Sequence, residues 1–172
     1  NDIIESGIPE VQYPTFPIRN KTSDIHVATM SYGHGIAVSP LNIISALATT
    51  VNGGEYIKPT VVIDPKLLSR PRIKVFDKDV SNIMKKLYKS NVEIGTAKKM
   101  KSMTYLVGAK TGTANKNDGR KYKKKKVVSS LITFFPINNP KYALFVLLDE
   151  PKATGSVLGR TPGFNAVPLS IN

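Results

Sequence analysis

The residues of this sequence best suited to hold an anion stand together in Gly108-Ala109-Lys110-Thr111-Gly112-Thr113-Ala114. Lys110 offers a cation, Thr111 and Thr113 offer hydroxyl groups, and a strand edge at this point offers backbone N–H groups. That set suits a carboxylate lying along the strand. Gly112 needs its own reason, because glycine inside a strand gives up packing and backbone order unless a ligand or another backbone comes close. The alternative is a core strand with a structural bulge glycine and a lysine tipped into solvent. In a chain with 20 lysines a Lys-Thr-Gly tripeptide alone is a weak signal, so its surroundings have to decide.

Little else in the sequence competes for chemistry. Cysteine is absent and His26 and His34 are the two histidines, which removes thiol nucleophiles and Cys-based zinc sites and argues against a metalloenzyme; no metal and no other cofactor is expected. His34 lies between two glycines and reads as a loop residue rather than a general base. Asp149 and Glu150 are adjacent at a strand end, where neighbouring side chains point to opposite faces, so a solvated turn is favoured over an acid/base pair. The net charge of +13 is carried by 20 Lys against 5 Arg. Readers of base edges and phosphates lean on arginine and stacking aromatics, so the charge indicates an anionic setting and not nucleic acid. Arg120, Lys121 and Lys123 to Lys126 are clustered and read as a solvated loop or edge strand, with Tyr122 an exposed tyrosine among them.

At 172 residues and 41% hydrophobic the chain supports one domain, and its longest apolar runs, Leu131–Ile137 and Tyr142–Leu148, are strand-sized and too short to span a membrane. The first 35 residues, punctuated by Pro9, Pro14, Pro17, Gly33 and Gly35, read as irregular or extended. Ser39-Pro40 opens a helix over about 40–52, stopped by Asn52-Gly53-Gly54. Tyr56–Ile63, with Pro59, reads as a peripheral strand. Asp77 is placed to cap a helix over about 78–90 whose core face is Val80, Ile83, Met84, Leu87 and Tyr88. Strands are predicted over 103–114 and 126–135 as antiparallel neighbours turning at Asp118-Gly119. After the Asn138-Asn139-Pro140 turn, Lys141–Asp149 reads as a strand buried on both faces. The class is α+β, an antiparallel sheet flanked by helices.

The segment Gly108 to Ala114 resembles the third signature of penicillin-binding proteins and serine β-lactamases, a Lys-Thr-Gly strand that accompanies Ser-x-x-Lys and Ser-x-Asn motifs. Tyr32 to Leu41 resembles the lead into a long helix of class B penicillin-binding proteins, and Ala48–Gly54 that helix's end. Gly95-Thr96-Ala97, Asp149-Glu150-Pro151 and Thr161 to Pro168 also fit, so the likeness runs from about residue 30 to 170 and is nearest to the division-specific septal transpeptidases. The resemblance implies a D,D-transpeptidase that cross-links peptidoglycan: a serine attacks the bond between two D-alanines of a stem peptide, and β-lactams acylate the same serine. It implies catalytic roles for Lys110, in the hydrogen-bond network opposite the nucleophile, and for Thr113, whose N–H is one of two oxyanion donors. Lys110, Thr111, Gly112 and Thr113 would bind substrate, with Thr111 and Thr113 on the terminal carboxylate.

No serine in the sequence has lysine three positions on. Ser170-Ile171-Asn172 matches Ser-x-Asn but follows the Lys-Thr-Gly strand, whereas the family places it before. Neither end looks like a natural terminus, so residues 1–172 are expected to be the C-terminal part of one incomplete transpeptidase domain, inactive until the missing N-terminal half supplies the nucleophile. The expected partners are that half, peptidoglycan stem peptides, β-lactams and other divisome proteins, at the periplasmic face of the bacterial inner membrane. The alternative is a catalytically inactive binding module whose basic hairpin engages an anionic envelope partner.

Overall fold

The computed structural model describes residues 14–15, 23–102, 104–117, 122–152 and 160–170. Its centre is a three-stranded antiparallel meander of β3 (Gly108–Asn117), β4 (Tyr122–Phe135) and β5 (Tyr142–Asp149), in that spatial order. Before it come α1 (Asp24–Ser31), α2 (Pro40–Thr49), β1 (Glu55–Tyr56), α3 (Pro65–Leu68), β2 (Ile73–Lys74), α4 (Lys78–Glu93) and a 3₁₀ turn at Lys98–Ser102. A short α5 (Ala166–Leu169) follows. Gly112 pairs with Ser130 and Leu131 with Val146, so the lysine-threonine-glycine strand lies at one edge of the meander.

Alternation along β4 divides the core into two layers. Leu131 packs with Ala109, Val92, Met100 and α5 residues Ala166 and Val167 on one face. Ile132 and Phe134 pack with Tyr88, Val51 and Ile137 on the other, under Ile44 and Leu47 of α2. Each buried aliphatic or aromatic side chain of this kind contributes roughly 1.5–3 kcal/mol. The Ser39 side chain accepts from Asn42 N at 3.2 Å, and Pro40 fills the first helical position, as the sequence predicts for α2.

Five expectations need correction, four of them before the meander. Helix α1 occupies part of the supposedly irregular N-terminal stretch; His26 Nδ1 accepts from Ser23 N at 3.2 Å, taking the place of the usual Glu or Gln of a capping box. Strand β1 is two residues long, paired with β2, and the chain from Ile57 to Ile63 joins no ladder. Asp77 occupies the N-cap position of α4 but makes no side-chain capping bond. The buried residues of α4 are Ser81, Tyr88 and Val92, while Val80, Ile83 and Leu87 are exposed. Polar contacts set that rotation: Ser81 Oγ accepts from Gly53 N at 3.0 Å, and Tyr88 Oη lies 3.0 Å from Thr50 Oγ1. Gly54, at φ +86°, makes the close turn beneath, where an added Cβ would stand 2.0 Å from Phe76 O.

Strand β5 also departs from expectation. Its residues alternate between half-buried and exposed, with Leu144 and Leu147 both open to solvent. It is the outer strand of the meander, and the helices reach only part of either face. Among the described residues no helix is long and apolar enough to cross a membrane.

Candidate functional site

Strand β3 brings Lys110, Thr111, Gly112 and Thr113 onto the open edge of the meander, paired in turn with Ile132, Leu131, Ser130 and Ser129 of β4. Asn91 Nδ2 on α4 donates to Ala109 O at 2.9 Å, so the Ala109 carbonyl points away from β4. Because the N–H and C=O of one residue point the same way in an antiparallel strand, Thr111 and Thr113 also aim their backbone groups outward. The Gly112 carbonyl points inward, where Ser130 Oγ donates to it at 3.4 Å. Lys110 is exposed, and its Nζ turns to the edge to donate to Thr111 O. Cation, outward N–H groups and an exposed Thr113 therefore meet along one short stretch.

A groove of about 940 Å³ opens beside this stretch, between α2 and the sheet face that carries Gly112. Tyr32, Asn42 and Leu47 wall one side and Ser130 and Phe145 the other, and the floor reaches Gly112, Thr113 and Ala114. Asn42 Oδ1 is buried there without a hydrogen-bond donor among the described residues. Gly112 is partly exposed and has no positive φ; an added Cβ would meet only Ser130 Oγ, at 2.7 Å. The glycine is not enclosed by packing from both sides.

Thr111 is held more tightly than the sequence suggests. Its Oγ1 lies 2.7 Å from Thr96 Oγ1, and Asn91 Oδ1 accepts from Thr96 N at 3.1 Å and from Thr96 Oγ1 at 3.2 Å. Asn91 and Thr96 are the residues that pattern reading of the elements missed. The available signal was an asparagine beside Tyr88 and Val92 on the buried side of an otherwise amphipathic helix.

Of the remaining candidates, His34 lines the groove beside Tyr32, and the others lie apart from it or outside the described residues. Asp149 and Glu150 close the far end of the sheet: Lys116 Nζ donates to Asp149 Oδ2 and Glu150 Oε1, both at 2.9 Å, and Lys126 Nζ to Glu150 Oε2 at 2.7 Å. The hydrogen bond from Lys126, then that from Lys116, lowers the Glu150 carboxyl to about 2, while Asp149 and then Glu150 raise the Lys116 ammonium. They form an ion cluster tying β3, β4 and the end of β5, not an acid/base pair. His34 follows α1, its N–H donating to Thr29 O at 2.9 Å and its ring tilted against Tyr32 at 5.1 Å between centroids. The Asp118-Gly119 turn, Lys121 and the side chains of Tyr122 and Lys123 to Lys125 lie outside the described residues.

The family described as penicillin binding protein transpeptidase domain matches residues 8–167. A relative in Caulobacter vibrioides, "Probable peptidoglycan D,D-transpeptidase FtsI", is 35% identical over 154 residues, covering 84% of this chain and 26% of the relative. "Stage V sporulation protein D" of Bacillus subtilis is 30% identical over 149 residues, 81% of this chain and 23% of that protein. The chain thus spans about a quarter of the length of these curated relatives. Among solved structures, the transpeptidase domain of Burkholderia pseudomallei penicillin-binding protein 3 superposes with a TM-score of 0.73 at 27% identity, over 93% of this chain and 51% of that one. Penicillin-binding protein 3 of Mycobacterium tuberculosis, solved with aztreonam, shares the fold at a TM-score of 0.75 and 19% identity, over 96% of this chain and 41% of that one.

Proposed function

The chain belongs to the penicillin binding protein transpeptidase domain family, and from that premise we propose that residues 1–172 form the substrate-gripping part of a serine D,D-transpeptidase domain acting on peptidoglycan stem peptides. The observation that carries this reading is the open edge of β3, where Lys110 and the outward-facing backbone of Thr111 and Thr113 stand beside a groove. A D-Ala-D-Ala tail laid along that edge finds donors for its carboxylate. Its scissile carbonyl oxygen finds the Thr113 N–H, a donor of the kind whose loss costs about 3 kcal/mol of barrier in acyl-transfer enzymes. Lys110 supplies positive charge where the attacking hydroxyl must lose its proton.

The nucleophile has to come from residues outside this sequence, since no serine here has lysine at the third position on. In the completed domain the serine oxygen bonds to the penultimate D-Ala carbonyl carbon. The terminal D-Ala leaves as the amine after taking a proton, and the amine of a second stem displaces the serine. β-Lactams would acylate the same serine, and the setting would be septal wall synthesis with other divisome proteins at the periplasmic face of the inner membrane.

Fluorescent penicillin tests the reading. The chain alone should take no covalent label, and the chain combined with the Ser-x-x-Lys half of its domain should take one that Lys110→Ala reduces by at least tenfold. Stable labelling of the lone chain, or undiminished labelling of the Lys110→Ala domain, overturns it.

A further inference from the structure

We infer that Thr96, held by Asn91, is a positioning residue that sets the Thr111 hydroxyl for a carboxylate, an inference that rests on the function proposed above. Four groups form a chain: Ala109 O accepts from Asn91 Nδ2, Asn91 Oδ1 accepts from Thr96 N, and the Thr96 and Thr111 hydroxyl oxygens are 2.7 Å apart. A hydroxyl has one hydrogen to give, so the pair has two proton arrangements. In the first, Thr111 donates to Thr96 and Thr96 to Asn91 Oδ1, along the 3.2 Å contact, and no donor is left for a ligand. In the second, Thr96 donates to Thr111, and the Thr111 hydrogen is free at the strand edge.

An ionised carboxylate only accepts, so it selects the second arrangement. The switch strands nothing, because Asn91 Oδ1 keeps the Thr96 N–H when the Thr96 hydroxyl turns away. The same asparagine anchors both ends of the relay, since its amide nitrogen fixes β3 at Ala109 while its oxygen fixes the loop that carries Thr96. Thr96 touches Thr111 and not the groove floor, so its effect is exerted through Thr111.

Thr96→Val removes the hydroxyl and leaves a methyl too close for the 2.7 Å approach, so the Thr111 side chain must rotate. The probe is the rate of acylation of the completed domain by benzylpenicillin and by its methyl ester, which lacks the anionic carboxylate. Thr96→Val should slow benzylpenicillin by about tenfold and leave the ester rate unchanged. Thr96→Ser should restore benzylpenicillin to within about twofold, because the hydroxyl is what matters. Equal slowing of both ligands, or no slowing of either, overturns the positioning role while the functional reading stands. A wild-type domain that benzylpenicillin does not acylate overturns the functional reading and this inference with it.

Discussion

Replacing Gly112 by alanine separates a glycine kept for the fold from one kept for a ligand. The backbone there does not require glycine, since among the described residues the glycines with positive φ are 33, 35, 53 and 54. The one obstacle to a Cβ is Ser130 Oγ at 2.7 Å, which already makes a long 3.4 Å bond to Gly112 O. Overpacking costs about 1–3 kcal/mol, and Gly→Ala returns about 0.4–1 kcal/mol through the unfolded chain, leaving a net loss near 1 kcal/mol. Ser130→Ala alone gives up a weak bond and should cost about 0.5 kcal/mol or less. In the double variant the clash is gone, so the two changes should couple by about 1–2 kcal/mol instead of adding. Urea unfolding at low protein concentration reads this as a midpoint lowered by about 0.5 M for Gly112→Ala, at a slope near 2 kcal/mol/M, and recovered in the pair. Simple additivity would show that Ser130 is not the obstacle and refute the packing argument. Penicillin labelling of the completed domain then decides the ligand question: loss of label in a double variant as stable as wild type means that the ligand needs the bare backbone, whereas full labelling means the glycine served only the hydroxyl opposite.

Acid should loosen the far end of the sheet. The Glu150 carboxyl is lowered from 4.5 to about 2, so its stabilising contribution is complete above its unfolded value and is lost as pH falls from about 4.5 to 2. Glu150→Gln should flatten the stability profile in that window, measured by urea midpoints against pH. Burial raises Tyr88 above its ordinary 10.0 despite the hydrogen bond with Thr50. Neutral Tyr88 therefore supports the fold fully below pH 10, and that support fades above it; spectrophotometric titration should find this phenol ionising later than an exposed one. Leu131 is 1% exposed at the centre of its layer, and Leu131→Ala should cost about 2–5 kcal/mol in the same unfolding assay. Val80, Ile83 and Leu87 form an apolar stripe on α4, so the isolated chain should self-associate, and Ile83→Lys with Leu87→Glu should shift sedimentation toward monomer.

The meander was legible because its signals are local. Alternating and apolar runs separated by Asp118-Gly119 and Asn138-Asn139-Pro140 name three strands in order, and Ser39-Pro40 names the start of α2. Residues Lys110 to Thr113 were legible as a motif, and their place on an open edge follows from being first in the meander. The roll of α4 was not legible, because the residues that set it, Thr50 and Gly53, meet Tyr88 and Ser81 across 38 and 28 positions of chain. Apolar periodicity alone put Val80, Ile83 and Leu87 inward. The hold of Thr96 on Thr111 spans 15 residues and joins two common hydroxyl side chains, which no spacing rule marks.

The way α4 meets β3 limits what can lie along that strand. Asn91 occupies the carbonyl of Ala109, and beyond it the outward-facing backbone runs from Thr111, whose carbonyl Lys110 holds, to Asn115 before the lysine-carboxylate cluster at Lys116 begins. At roughly 3.4 Å per residue that is a berth of about 14 Å. An extended peptide entering it meets a helix at one side within four residues, so a loose tail can moor there where the middle of a long polymer would run aground.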